Sequence, residues 1–332
     1  MIQFSYMKNQ VCVIGGATWD VLFTTPQACL LPVSKTRQSF LAFPYGSKVD
    51  AKDITYCFGG GAANVSIGLA RLGVKASILT CVGKDWRGQE VAKNLQKQKV
   101  DTKLLQYNNS ETTALAFIVT TGGAHDHVAF VSRGASGKLK LPMLLSKKFD
   151  WCYATSVSAL NWYQGLNRLF KQLKEQGTNI FWNPGVAQLA TGRKLKNLLR
   201  YVTILDLNKE EAEILARDLK LSYVGLNGLL KVLKSTGPSA VLITNGAKGA
   251  YFYDGKKIIY HASLTVKLVN TTGAGDSFGA GFLAGYLNTR DIKQAMRWGM
   301  LNSSSVIMQA GAQRGLLNIK SLKIFLKKYG RA

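Results

Sequence analysis

A chain of 332 residues, 47% hydrophobic and 18% charged, can bury a large core as one large domain or two smaller ones. Its 43 Lys and Arg against 18 Asp and Glu give a net charge of +25, a balance that favours anionic ligands. The basic residues are spread along the chain without an arginine-rich block or aromatic-interleaved module, so no specific nucleic-acid partner is expected. The first residues, Met1 to Lys8, lack the regions of a signal peptide, and no apolar run reaches spanning length. The expectation is a cytoplasmic protein with no membrane partner. Five scattered cysteines (Cys12, Cys29, Cys57, Cys81 and Cys152) form no C-x-x-C pair and read as reduced thiols. His125 and His127 share one strand face, but no further ligands stand nearby to make a zinc site.

In chain order, Val11–Ile14 reads as a buried strand closed by Gly15-Gly16, with Asp20 shortly beyond. Open α/β sheets place ligand-binding groups past strand ends, although Asp20 also suits a turn. Residues 24–58 lack helical periodicity and carry β-like runs at 39–43 and 53–58, broken by prolines and glycine. Gly59-Gly60-Gly61-Ala62-Ala63-Asn64 opens a helix that stops at Gly73. Next come a strand over 76–82 and a helix over 85–98, then two strands, 112–120 and 127–132, joined by Gly122-Gly123. Strands at 150–154, 179–182, 202–205 and 240–244 alternate with helices at 162–176, 192–200, 208–217 and 226–234. A hairpin turns at Asp254-Gly255, and helices at 275–288, 291–308 and 319–329 finish the chain. The alternation predicts an α/β fold with a mainly parallel central sheet between helical layers. No repeat or linker interrupts it. One domain, 1–332, is expected, with a small β-lid built from about 17–58 and 112–133.

Val269-Asn270-Thr271-Thr272-Gly273-Ala274-Gly275-Asp276 reads as a strand, a tight turn and a helix N-terminus. Unpartnered amides and the helix dipole there suit an anion. An acid beside an anion makes sense if it takes a proton from a nucleophile attacking that anion, so the segment suggests phosphoryl transfer with Asp276 as base. Other nucleotide motifs are missing. The segment 132–139 fails the P-loop pattern, and Phe278 occupies the third glycine position of the dinucleotide fingerprint. Asn208 with Glu211 reads equally as a helix capping box or as a site for hydrated magnesium. Thr244-Asn245-Gly246 ends a strand in a turn that could line a nucleotide or simply be a turn.

Gly59–Asn64, Asn208-x-x-Glu211 and Thr271-Thr272-Gly273-Ala274-Gly275-Asp276, in this order, resemble the PfkB (ribokinase-like) carbohydrate and nucleoside kinase family over roughly residues 10–317. The resemblance implies a ribokinase-like three-layer α/β/α sandwich with a β-lid over the sugar site. It implies an ATP-dependent kinase that transfers the γ-phosphate to a primary hydroxyl of a sugar or nucleoside. By position, Asp276 would be the base and Gly273, Ala274 and Gly275 the anion hole. Asn208 and Glu211 would serve Mg2+ and the phosphates, Thr244 and Gly246 the nucleotide, and Asp20, Gly60 and Asn64 the acceptor hydroxyls. Asn270 stands where the family usually has an Asp that helps bind a monovalent cation such as K+; it keeps an oxygen but no charge. Gly61 replaces the Lys of ribokinases, and Gly185 stands where Arg is common after Asn183-Pro184. Lid edges often pair between subunits, which raises a homodimer as an expectation. The +25 charge and Asn270 also raise an alternative, a noncatalytic ligand- or RNA-binding relative of the kinase fold.

Overall fold

Short apolar runs, each followed by an amphipathic segment, build a parallel sheet because strands buried on both faces need helices on both sides. The computed structural model describes residues 9–32, 39–121, 128–143, 145 and 147–329. Five strands, β1 (Gln10–Ile14), β2 (Thr18–Thr24), β3 (Cys29–Pro32), β4 (Ser39–Ala42) and β5 (Lys52–Gly59), precede helix α1 (Gly61–Arg71). Then follow β6 (Lys75–Leu79), β7 (Cys81–Gly83), α2 (Trp86–Lys97), β8 (Gln106–Asn108), β9 (Leu115–Thr120) and β10 (Val128–Ser132). The middle of the chain holds β11 (Trp151–Ala154), α3 (Trp162–Glu175), β12 (Asn179–Trp182), α4 (Val186–Leu189) and α5 (Arg193–Leu199). It continues with β13 (Ile204–Asn208), α6 (Lys209–Asp218), α7 (Gly225–Lys234) and β14 (Ala240–Thr244). The hairpin β15 (Ala250–Tyr253) and β16 (Ile258–His261) leads to α8 (Ala274–Thr289), α9 (Ile292–Ile307) and α10 (Ile319–Tyr329).

The main sheet has eight strands in the order β16-β15-β14-β13-β12-β11-β1-β6. Its pairings are parallel from β6 to β14 and antiparallel through the β15–β16 hairpin. Strand alternation divides the core in two. Val11, Val13, Phe181 and Leu242 pack with residues of α1, α8 and α9, while Cys12, Ile14, Ile180 and Val241 pack with α3, α6 and α7. This is the three-layer α/β/α arrangement expected above. A second sheet, β10-β9-β2-β5, is built from strands at 18–24, 52–59, 115–120 and 128–132 and closes on Leu22, Ala116 and Ile118. Among the described residues no helix is long and apolar enough to cross a membrane. The expected Gly122-Gly123 connection and the His125/His127 pair lie outside the described residues, as does the segment 1–8.

Three expected elements come out differently. The run over 76–82 divides into β6 and β7, because β7 pairs with β8 in a separate two-stranded sheet. No strand leads into the turn at Gly273: the amides of Val269 and Asn270 both donate to the Ile307 carbonyl at the end of α9. That stretch therefore lies against a helix end instead of in a sheet. The strand expected at 202–205 runs from Ile204 to Asn208, which carries Asp206 into the sheet interior.

Candidate active site

Gly273 is the N-cap residue of α8, with φ of 78°. A Cβ there would lie 2.5 Å from that of Ala312, so only glycine lets the turn pass this closely in the left-handed conformation. No side chain caps the helix. The Ala274 amide closes the turn onto the Thr271 carbonyl at 3.2 Å, whereas those of Gly275 and Asp276 find no acceptor among the described residues. A Cβ on Gly275 would meet nothing within 4 Å, so the space before the helix is open. The hydroxyl of Thr272 is buried without a partner. Free amides, the positive helix end and an orphaned hydroxyl together make a site for an anion.

Asp276 occupies the third position of α8. Its Oδ2 accepts a hydrogen bond from Asn64 Nδ2 at 2.8 Å. Its Oδ1 faces Gly61, where an added Cβ would stand 3.3 Å away. Burial pushes the carboxyl above the usual range, and the Asn64 hydrogen bond acts in the opposite direction.

Two cavities share Thr244, Thr271, Ala274 and Gly275 in their walls. The smaller, about 170 Å³, is also lined by Asn183, Asp206, Asn208, Glu211 and Asp276. Asn208 and Glu211 do form a capping box: Asn208 Oδ1 accepts from the Glu211 amide at 2.8 Å, and Glu211 Oε2 accepts from the Asn208 amide at 2.9 Å. Capping leaves Glu211 Oε1 and the Asn208 amide group unused. Burial raises Glu211, and the charge of Asp276 adds to it. Asp206 is 3% exposed and sits well above the ordinary carboxylate range through burial and the charges of Glu211 and Asp276. The larger cavity, about 460 Å³, has apolar walls that include Val266, Phe278, Met300 and Ile307, with Gly246 at its edge.

Asp20, Gly60 and Asn64 line neither cavity; of the three, Asn64, on α1, reaches Asp276. Gly60 has φ of 88°, and a Cβ there would lie 2.6 Å from the Gly16 carbonyl oxygen. Asp20 sits inside β2, on the second sheet, where Thr18 Oγ1 donates to it at 2.6 Å. Burial raises it to about 6. Gly59 has no room for a side chain, since its Cβ would overlap Asp20 Oδ2. Asn270 is buried, and its Oδ1 accepts from the Thr272 amide at 2.8 Å, closing an Asx turn below the helix. Gly185 lies against Ser156, which leaves no space for a larger residue.

Sequence reasoning missed Asp206, Thr272 and Gln313. The signal for Asp206 was a charge between Leu205 and Leu207 inside an apolar run; for Gln313, remote from any motif, no local pattern existed.

The family model for pfkB family carbohydrate kinases matches residues 27–319. The chain is 25% identical over 314 residues to ribokinase of Haemophilus influenzae, covering 93% of this chain and 96% of that one. It superposes on the nucleoside kinase of Methanocaldococcus jannaschii, an archaeal member of the ribokinase family, with a TM-score of 0.80 at 22% identity, covering 97% and 99% of the two chains. Arabidopsis thaliana ribokinase, complexed with ribose and ATP, gives a TM-score of 0.80 at 20% identity, again covering 97% and 99%. The fold is thus ribokinase-like, and with the family match running over most of its length the chain belongs to the pfkB family of carbohydrate kinases, phosphotransferases that act on an alcohol group.

Proposed function

We propose that the chain transfers the γ-phosphoryl group of ATP to a primary hydroxyl of a sugar or nucleoside, with Asp276 as general base. The observation that carries this reading is the placement of Asp276. It stands at the uncapped N-terminus of α8, borders the phosphate-sized cavity, and has one oxygen held by Asn64 and the other open. The larger cavity takes the nucleotide beside Thr244 and Gly246. The turn Gly273-Ala274-Gly275 receives the transferring phosphoryl group, with the Gly275 amide as its free donor because that of Ala274 closes the turn onto Thr271. Phosphoryl transfer is mostly positioning and charge stabilisation, and a carboxylate whose pKa burial raises is a stronger base for a hydroxyl proton. Asp20, Gly60 and Asn64 hold the acceptor, with the β10-β9-β2-β5 sheet as a lid within a single domain.

The residues present also fit Mg2+. Glu211 and Asp276 both raise Asp206, and Asp276 raises Glu211, around one small cavity, a repulsion that a divalent cation relieves. Among the described residues no group of three or more acids, histidines or cysteines forms a metal cage. That suits an ion held mainly by phosphates and water, with Asn208 and Glu211 orienting its hydration shell. When bound, Mg2+ supplies charge neutralisation along the triphosphate. Asn270 offers K+ no more than a neutral oxygen already used in a turn, so added K+ is expected to change turnover by less than about twofold. The exposed Phe117 and Phe130 on the lid support a homodimer through that sheet.

The test is release of ADP from ATP-Mg in the presence of a panel of sugars and nucleosides. Asp276→Asn is expected to bind the acceptor within about threefold of the parent while turnover falls by roughly 10²–10⁴. Near-parental turnover in that variant would remove Asp276 from its role. No acceptor-dependent ADP release from the parent chain would favour the noncatalytic alternative.

A further inference from the structure

Behind Asp276 runs a chain of side-chain amides that extends from the motif residue Asn64 to two residues no motif contains, Gln313 and Asn94. Asn94 Nδ2, on α2, donates to Gln313 Oε1 at 3.0 Å. Gln313 Nε2, in the loop after α9, donates to Asn64 Oδ1 at 3.0 Å. Asn64 Nδ2, on α1, donates in turn to Asp276 Oδ2 on α8. Asn64 and Gln313 are 3% and 9% exposed, so neither can exchange these partners freely for water. Arg71, the last residue of α1, donates from Nη1 to the carbonyls of Gln313 and Leu316 at 2.9 Å. The helix that carries Asn64 therefore also fixes the loop that carries Gln313.

The direction of this chain is set by its end. An ionised carboxylate only accepts hydrogen bonds, so Asn64 must turn its NH2 toward Asp276 and its oxygen toward Gln313. Gln313 must then turn its own NH2 toward Asn64 and its oxygen toward Asn94, which has a donor to give. Reversing any one amide places oxygen against oxygen at Asp276 or leaves a buried group unpaired.

We infer that Gln313, backed by Asn94, is a positioning residue for phosphoryl transfer. It holds Asn64 in the one amide orientation that donates to Asp276, which keeps Oδ2 occupied and Oδ1 turned toward the acceptor. The inference rests on the reading of Asp276 as base. It also gives Asn64 a duty besides gripping the acceptor: its oxygen and one N–H are already committed, and one N–H remains for a ligand.

Kinetics of substitutions along the chain, made in the full-length protein, test the inference. Gln313→Leu removes the amide and leaves Asn64 free, so kcat should fall about threefold to tenfold. Gln313→Glu keeps the length but can only accept; it pulls the Asn64 NH2 away from Asp276, and kcat should fall at least thirtyfold. In both variants KM for ATP and acceptor should stay within about threefold. A merely structural residue would give the opposite order, because Glu replaces Gln more closely than Leu does. Asn94→Asp, remote from the reacting groups, should reverse Gln313 and through it Asn64, lowering kcat about fivefold. In a Gln313→Leu background the same change should do nothing. Gln313→Glu at parental kcat, Leu worse than Glu, or an Asn94→Asp effect that persists in the Leu background overturns the inference. A second readout needs no turnover. By 15N NMR of the ligand-free protein, the Asn64 side-chain protons should be protected from exchange in the parent and lose protection in Gln313→Leu; unchanged protection counts against the relay. If the parent releases no acceptor-dependent ADP, the kinase reading fails while this measurement still decides the relay.

Discussion

Asp20 is held in a place that disfavours its charge. Thr18 donates to it, yet burial outweighs that bond and lifts the carboxyl from 3.8 to about 6. A raised acid is no burden below about pH 4, where it is protonated whether folded or unfolded. The penalty grows from about pH 4 to 6 and is constant above, reaching about 3 kcal/mol for a shift of this size. Asp20→Asn should therefore match the parent's stability near pH 4 and exceed it by up to about 3 kcal/mol above pH 6. Urea unfolding at both ends of that window measures the difference, and equal stabilities at pH 7 would show the carboxylate to be well accommodated. At this scale the sequence was readable where a residue broke the chemistry of its own neighbourhood. Asp276 beside an anion-binding turn is such a case. Asp206 breaks its neighbourhood too, but the strand boundary expected at Leu205 placed it outside the sheet and hid it. Gln313 breaks nothing locally; its meaning lies in residues 219 and 249 positions away.

Helix α6 opens on two side chains that cap it and also border the smaller cavity. Asn208 and Glu211 close its first turn reciprocally, and their remaining polar groups face the smaller cavity. The two duties separate under one substitution. Gln at 211 still accepts the Asn208 amide through its oxygen, so Glu211→Gln should keep the melting temperature within about 1 °C of the parent, a shift of under about 1 kcal/mol. It removes the carboxylate, so half-maximal ADP release should need several-fold more Mg2+ than in the parent. A magnesium titration at saturating ATP checks this, and an unchanged midpoint would leave Glu211 as a cap alone. Elements with a strong period, such as α3 or the β15–β16 hairpin, were visible before any coordinates. Those that depend on a distant partner were not. β7 leaves the main sheet only because β8 pairs with it, and the stretch before Gly273 is drawn out of any sheet by the end of α9. Local propensity carries no information about either.

For the molecule as a whole, strand–helix alternation was enough to give the layers and the parallel sheet, because covering both faces of a buried sheet allows few other arrangements. The excess of basic residues had no such consequence for the fold. The second sheet leaves apolar surface open: Phe23, Phe43, Phe117 and Phe130 border a groove of about 400 Å³, and Phe117 pairs directly across from Phe130. Pairing of two copies through this face would cover it. Phe130→Lys should then sediment as a monomer where the parent sediments as a dimer at micromolar concentration. A parent that is monomeric throughout that range would end the dimer proposal.

The amide chain behind Asp276 also bears on when the protein becomes competent during synthesis. Its links join residues 212, 219 and 249 positions apart, the last two through Gln313. Strands β1, β6 and β11 can pair as soon as they leave the ribosome, but the amide orientation behind Asp276 cannot be fixed until the loop after α9 has emerged. Contacts this remote in sequence are slow to close. A nascent chain halted before Gly311 would hold its sheet and both Asn64 and Asp276, but neither of the two links through Gln313. The orientation of Asp276 would then be among the last features of the molecule to be fixed.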